Sequence, residues 1–226
     1  MKICAIMQPT YLPWLGYFDL INKSDIFIIY DNVQFEKQSW QQRNKIRSKD
    51  GEIMLTVPVK HGKGLERKIV EVEIDYKQPI LKKHLTALKL SYARSKNYKL
   101  IIDALETIYN SSPERLIDLN IALIKFGMVL FKIEKKLIFS SELSPQSSRV
   151  EALIDICKKV GANHYYSPAG SKIYIDENNL FEKLGIKLTY QNFTHPVYKQ
   201  LNYPTFISHL SFIDYLFNCD NFNIFN

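Results

Sequence analysis

Gln8-Pro9-Thr10-Tyr11-Leu12-Pro13-Trp14-Leu15-Gly16-Tyr17-Phe18 packs more ligand-capable side chains together than any other run in this chain. Gln8 can donate and accept hydrogen bonds, and Tyr11 and Tyr17 offer hydroxyls. Trp14 offers a flat face to a base or a sugar ring. Gly16 permits close approach. The competing reading makes Trp14, Tyr17 and Phe18 the buried face of a helix. Asp31, followed by Gln34, can orient an amine, a ribose hydroxyl or a metal-bound water, or it can simply close a turn. Arg43 and Asn44 stand in a basic stretch. His84 and Tyr92 are spaced to share one helix face. A histidine titrates near neutrality, so His84 is a candidate general base, or else a core residue. His195-Pro196-Val197-Tyr198-Lys199-Gln200 reads as a ligand-covering loop, because a loop needs none of these side chains in order to fold. Ser211 and Asp214 are either ligand contacts or the cap of a closing helix.

Other chemistries leave no trace. No histidines or cysteines stand at metal-ligand spacing, and the glycine-rich dinucleotide, Walker and nucleophile-elbow motifs are missing, so no metal and no cofactor are expected. Cys4 lies in an apolar run and is a poor nucleophile. The three cysteines are read as reduced.

The elements that must position these residues follow from periodicity. The apolar runs Lys2–Met7 and Ile26–Tyr30 suit strands buried on both faces, with a helix from Pro13 to Asn22 joining them in a right-handed crossover. Gln8 and Asp31 then fall at the carboxyl ends of two strands, where open parallel sheets bind ligands. Trp40–Arg47, Ile53–Val59 and Ile69–Ile74 read as half-exposed strands, with Lys49-Asp50-Gly51 turning the first hairpin. His61-Gly62-Lys63-Gly64 reads as a mobile basic loop. Helices are expected over Pro79–Ser95, Tyr98–Asn110 and Pro113–Phe131. Leu137–Phe139, His164–Ser167 and Ile186–Tyr190 are further strands. Helices are expected over Arg149–Val160, capped by Ser148 and ended by Gly161, over Glu177–Leu184, and from Ser208 or Ser211 to Asn218. The pattern predicts one three-layer, Rossmann-like α/β domain over residues 1–226. Its mostly parallel core comprises 1–31 and 136–226. An insertion over 32–135 holds an antiparallel β excursion at about 40–75 and helices at about 79–131.

The chain has 226 residues, 46% hydrophobic and 23% charged, as an ordered globular protein has. No apolar stretch is long enough to span a membrane. The opening run meets Gln8 and Pro9 too early for a secretory signal, so a cytoplasmic protein is expected. The net charge is +7, and between Asp31 and Lys99 there are 16 Lys and Arg against 8 Asp and Glu. Such an excess favours a nucleotide or a polyanion, unless it is only a solvated lysine-rich surface.

These residues resemble the WbqC-like family. The resemblance is carried by Gln8-Pro9-x-Tyr11-x-Pro13-Trp14-x-Gly16-Tyr17-Phe18, by Asp25, Asp31 and Gln34, and by Trp40-x-x-Arg43-Asn44. It continues through Leu55-Thr56-Val57-Pro58-Val59, His84, Tyr92, Ser140-Ser141 and Gly161. Pro196-x-Tyr198-x-Gln200 and His209-Leu210-Ser211-x-x-Asp214-x-Leu216-Phe217-Asn218 complete it. Met7 departs from the pattern, since many relatives carry histidine there. The resemblance implies a place in bacterial O-antigen and surface-polysaccharide synthesis, where nucleotide-linked amino sugars are modified on nitrogen. The expected activity is transfer of an acyl or aminoacyl group, for example glycyl, to the sugar amine, with aminoacyl-tRNA as one candidate donor. Asp31 or His84 would take the amine proton with Gln8 beside them. Tyr11 or Trp14 would stack on base or sugar, and cations from 43–68 would meet the diphosphate. Two alternatives stay open: a nucleotidyltransferase-like enzyme of nucleotide-sugar metabolism, and a non-catalytic scaffold of a polysaccharide assembly complex.

Overall fold

A computed structural model describes residues 1–61, 67–146, 149–175, 179–201 and 205–225. The expected basic loop at Gly62–Gly64, the Ser148 cap and the helix start at Glu177 lie outside these residues. In chain order come β1 (Ile3–Met7), α1 (Leu15–Lys23) and β2 (Ile26–Ile29), then β3 (Arg43–Ser48) and β4 (Gly51–Thr56). Three helices follow: α2 (Ile80–Tyr92), α3 (Tyr98–Asn110) and α4 (Leu116–Leu130). The last part holds β5 (Leu137–Phe139), α5 (Ser140–Leu143), α6 (Arg149–Lys159), β6 (His164–Ser167), α7 (Lys172–Ile175), α8 (Leu180–Lys183), β7 (Lys187–Tyr190) and α9 (Phe212–Asn218).

The chain folds into two compact units. The first comprises Met1–Gln8, Gly16–Asn32 and Ile133–Thr194. It holds a five-stranded sheet in the order β5-β2-β1-β6-β7, parallel throughout. Cys4, Ile6 and Ile28 point to the face covered by Leu153, Ile154, Ile156, Ile175 and Phe181 from α6, α7 and α8. The alternate residue Phe27 lies 5.4 Å, centroid to centroid, from Tyr17 of α1 on the opposite face. Both faces are therefore covered, which explains why β1 and β2 are apolar without alternation. The α/β class and the mostly parallel sheet expected from the sequence are present, as is a small antiparallel sheet.

Gly161 ends α6. At φ +66° it lets its own N–H reach the Lys158 carbonyl at 3.0 Å and the Ala162 N–H reach that of Cys157 at 2.8 Å, a paired C-terminal cap. Gly161→Ala is expected to cost about 1–2 kcal/mol in chemical denaturation, the penalty of placing a Cβ in left-handed backbone.

The second unit comprises Pro9–Leu15, Val33–Lys132 and His195–Asn226. Strands β3 and β4 form a hairpin with Ser48 paired to Gly51, so Lys49-Asp50 make the turn. Helices α2, α3 and α4 and the closing helix α9 bury Leu88, Leu105, Leu116, Leu123, Phe212 and Leu216. The third strand expected at Ile69–Ile74 is absent. Ile69–Glu71 is a 3-10 turn, in which the Glu71 carboxylate accepts the Lys68 N–H at 3.0 Å. Ile69 and Val72 are both buried, three residues apart, which is the period of that helix rather than of a strand.

Candidate functional site

In the first unit, polar residues stand at or just beyond the carboxyl ends of all five strands: Gln8 after β1, Asp31 after β2, Ser140 after β5, Ser167 ending β6, and Gln191 after β7. Strand order reverses between β1 and β6, where open parallel sheets form their crevice. Met7 is in register with Ile29, so Gln8 and Asp31 follow the carboxyl ends of two neighbouring strands, with Asp31 one residue further along. Asp31 is not open to a ligand, however. It is 1% exposed. Its Oδ1 accepts from Ser140 Oγ at 2.9 Å and from the Ser141 N–H at 2.8 Å, and its Oδ2 accepts from Ser141 Oγ at 2.6 Å. The Asp31 N–H returns a bond to Ser140 Oγ at 3.1 Å. These bonds clip β2 to the start of α5 and satisfy both carboxylate oxygens. Gln191 makes a similar clip, donating to the Gly16 carbonyl at 2.7 Å and to Asp19 Oδ2 at 2.8 Å. Tyr17 is buried in the α1 face, the competing reading of that residue.

In the second unit, two asparagines fix the Pro9–Pro13 loop. Asn44 Nδ2 donates to the Leu12 carbonyl at 2.7 Å, and Asn120 Nδ2 donates to those of Gln41 at 2.8 Å and Pro9 at 3.3 Å. They hold Leu12 at φ 45°, a conformation that disfavours branched side chains. Beneath the loop, Tyr11 is fully buried and its hydroxyl lies 2.8 Å from His84 Nδ1 and 2.5 Å from the Tyr109 hydroxyl. Burial lowers the His84 pKa to about 4, against a hydrogen bond to the Thr56 backbone. A backbone carbonyl only accepts, so the ring N–H goes to Thr56 and Nδ1 accepts from Tyr11. At 4% exposure His84 is a neutral core residue.

Tyr92, on the same helix face, joins a second network. Asp214, fully buried, accepts from the Tyr92 hydroxyl at 2.6 Å on Oδ1, and on Oδ2 from the Tyr198 hydroxyl and Gln200 Nε2, each at 2.8 Å. Burial raises the Asp214 pKa, opposed by these three donors and by the Arg47 charge. Arg47 is itself fully buried, donating to the Thr205 carbonyl at 2.9 Å, and its backbone N–H donates to Tyr92 at 2.8 Å. The basic strand is thus not wholly a surface feature. Lys45 is paired with Glu52, and Arg43 is half-buried opposite Thr56. Ser211 caps α9, its Oγ accepting from the Ile213 N–H.

This network anchors a partly exposed set of rings. Tyr198 stacks on His195, with centroids 6.2 Å apart. His195 is nearly parallel to Trp14, at 6.5 Å and 8°. His209 lies 5.0 Å from Trp14 and 5.1 Å from His195. Trp14 pairs with Ser211 through the backbone, and the Ser211 N–H donates to the Lys45 carbonyl at 2.9 Å, which places the rings beside the basic hairpin. Burial lowers the His195 pKa, as does the neighbouring His209, against a bond to the Pro196 carbonyl. His195 is therefore held toward its neutral form, with Nδ1 on the Pro196 carbonyl and Nε2 buried.

Of the residues singled out from sequence, Trp14, His195, Tyr198, Gln200, Tyr92, Ser211 and Asp214 gather in one connected region of the second unit, with Asn44 and Tyr11 shaping the loop before Trp14. Gln34 is exposed, in a backbone bridge with Lys68. Sequence reasoning passed over Asn120 and His209 as site residues, and counted Arg47 only among the cations of 43–68. Asn120 carried a signal, being a polar residue on the apolar face of α4. Among the described residues no cluster of three or more His, Cys, Asp or Glu is placed to hold a metal, and no helix is long and apolar enough to cross a membrane.

Comparison with known proteins adds two matches. The chain is 34% identical over 220 residues, 96% of its own length and 94% of the relative's, to the uncharacterized protein Rv1507c of Mycobacterium tuberculosis. No solved structure matches. The model of the WbqC-like protein family matches residues 8–224, so the Gln8-to-Phe18 run, the Asp214 network and the three-ring set all lie within a chain that belongs to the WbqC-like family.

Proposed function

We infer that this protein is a transferase of bacterial surface-polysaccharide synthesis that places an acyl or aminoacyl group on the amine of a nucleotide-linked amino sugar. The supporting observation is the pairing of a half-exposed tryptophan with two imidazoles, His195 and His209, in the unit that holds the excess of cations. Trp14 supplies a stacking face, and Lys and Arg of the hairpin region meet the diphosphate. The sugar amine attacks the donor carbonyl as the neutral base. His195 takes the proton that the nitrogen sheds and returns it to the departing group, leaving an amide. An aminoacyl-tRNA donor would give the positive charge a second role. Asp31 and His84, sealed in their own networks, act as structural groups in this scheme.

Incubating the protein with nucleotide-linked amino sugars and a panel of acyl and aminoacyl donors, with mass spectrometry of the sugar product, tests the proposal. A mass increase equal to the acyl group is expected for one combination. No increase with any donor overturns it. The rate should fall as acid protonates His195, below the ordinary imidazole range because burial lowers its pKa, since protonated His195 cannot accept a proton. A rate that does not fall anywhere between pH 8 and the onset of acid unfolding would remove the imidazole from the mechanism.

The order β5-β2-β1-β6-β7 favours one other reading, a nucleotidyltransferase-like enzyme binding a nucleoside triphosphate at the strand-order reversal. Magnesium-dependent release of pyrophosphate in the same mixtures would support that reading over acyl transfer.

A further inference from the structure

Residues 76–102 contain Lys77, Lys82, Lys83, Lys89, Arg94, Lys96 and Lys99 and no Asp or Glu, so this one stretch carries the whole formal net charge of +7. All seven side chains are exposed. They lie before and along α2, in the 93–97 connection and in the first turn of α3. Lys83, Thr86 and Leu90 are three and four residues apart and share one exposed stripe of α2, with Lys82 and Lys89 on the stripe beside it. Two leucines stand out to solvent among these cations. Leu90 is 83% exposed and Leu100 is 56% exposed. One lies three residues before the 93–97 connection and the other three after it, so both sit within about a turn of the tip of the α2–α3 hairpin. That tip is held to α9. Ser95 Oγ donates to the Phe217 carbonyl, and Asn97 Nδ2 donates to the carbonyls of Leu216 at 3.1 Å and Cys219 at 2.8 Å. Tyr92 and Tyr98 turn inward and stack on Phe217, with centroids 4.4 and 6.3 Å away. Of the acids beside the tip, Asp220 pairs with Lys96 at 3.1 Å, and Asp103 stands one turn beyond Lys99.

We propose that the tip of the α2–α3 hairpin is a peripheral contact for an anionic lipid bilayer. Leu90 and Leu100 dip below the headgroups, and Lys83, Lys89, Arg94 and Lys99 meet the lipid phosphates. A single exposed leucine is ordinary on a protein surface, but two at one end of a hairpin, ringed by cations, have the composition of an interfacial helix pair. A nucleic acid would satisfy the same charges, yet it would set both leucines against phosphate, and the rings of the tip are turned away from any base. A bilayer gives each part a partner: apolar depth for the leucines and a negative surface for the cations. Among the described residues no helix is long and apolar enough to cross the membrane, so the contact is made from its surface. It needs no part of the transfer reaction and stands or falls apart from it.

Co-sedimentation of the full chain with lipid vesicles tests the contact. Vesicles of phosphatidylcholine mixed with phosphatidylglycerol should pellet the protein, less so as salt rises, and vesicles of phosphatidylcholine alone should pellet far less. Lys83→Gln, Lys89→Gln and Lys99→Gln together should lower partitioning into the mixed vesicles by about 100-fold, from about fivefold for each cation at an anionic surface. Leu90→Gln with Leu100→Gln, which leaves every charge in place, should lower it by at least about tenfold. All five side chains are exposed and glutamine suits a helix, so both variants should melt with the wild type. No pelleting with the mixed vesicles, or pelleting that the leucine variant leaves unchanged, overturns the proposal. Retardation of transfer RNA in a gel that the lysine variant loses and the leucine variant keeps, with no vesicle binding, would reassign the surface to nucleic acid.

Discussion

Asp214→Ala should lower the unfolding free energy by about 3–5 kcal/mol, the range for removing one member of a buried charged network. The substitution removes the carboxylate on which the Tyr92 and Tyr198 hydroxyls and Gln200 Nε2 converge, and takes away a charge that opposes the buried Arg47. A domain stable by roughly 5–15 kcal/mol would lose much of its margin. Asp214→Asn keeps an acceptor oxygen but not the charge, and should cost less. Urea unfolding read by fluorescence measures both. A shift under 1 kcal/mol for the alanine variant would show that the network does not hold the 195–200 loop.

The protein should also be acid-labile through His84. Its pKa in the folded chain is lowered from 6.5 to about 4, so below pH 6.5 the unfolded chain binds a proton that the native state refuses. The stability from keeping this ring neutral is complete above pH 6.5 and is lost as pH falls through 4. Over that window it amounts to about 3 kcal/mol. His164 and His195, also lowered by burial, act in the same direction, whereas Asp214, whose pKa is raised, acts against them by favouring its protonated form in the native state. Subtracting the pH dependence of His84→Asn from that of the wild type isolates the single ring. Parallel curves for the two proteins would mean that His84 is already solvated and free to titrate.

How far the sequence could be read depended on the range of the interaction. Strands β1 and β2 are apolar on both faces and sit either side of a helix of matching length, so their parallel pairing and the neighbouring ends Gln8 and Asp31 followed from local pattern. The hairpin turn at Lys49-Asp50 and the Gly161 helix end followed in the same way. Burial was harder to infer. Asp31 looked like a ligand group because it ends a strand, but Ser140 and Ser141, far along the chain, take up both its oxygens. Arg47 sits in a strand of alternating cations and looked solvated, but its environment is set by Asp214 and Thr205. Tyr92 and Asp214 are 122 residues apart, and no periodicity links them. His209 is conspicuous only once Trp14 and His195 are seen around it. Long-range polar pairing turned residues with chemical promise into structural ones, and left the half-exposed rings as the place proposed for chemistry.

The ranking of two variants in the acyl-transfer assay tests that division most directly. Product formed from a nucleotide-linked amino sugar and its donor should fall by about 100-fold or more in His195→Gln, the scale of losing a general base. In Asp31→Asn, compared at equal folded fraction, it should stay within about threefold of wild type. If Asp31→Asn abolishes turnover while His195→Gln keeps it, the reacting centre belongs to the carboxyl edge of the parallel sheet, and the account given for the rings is wrong.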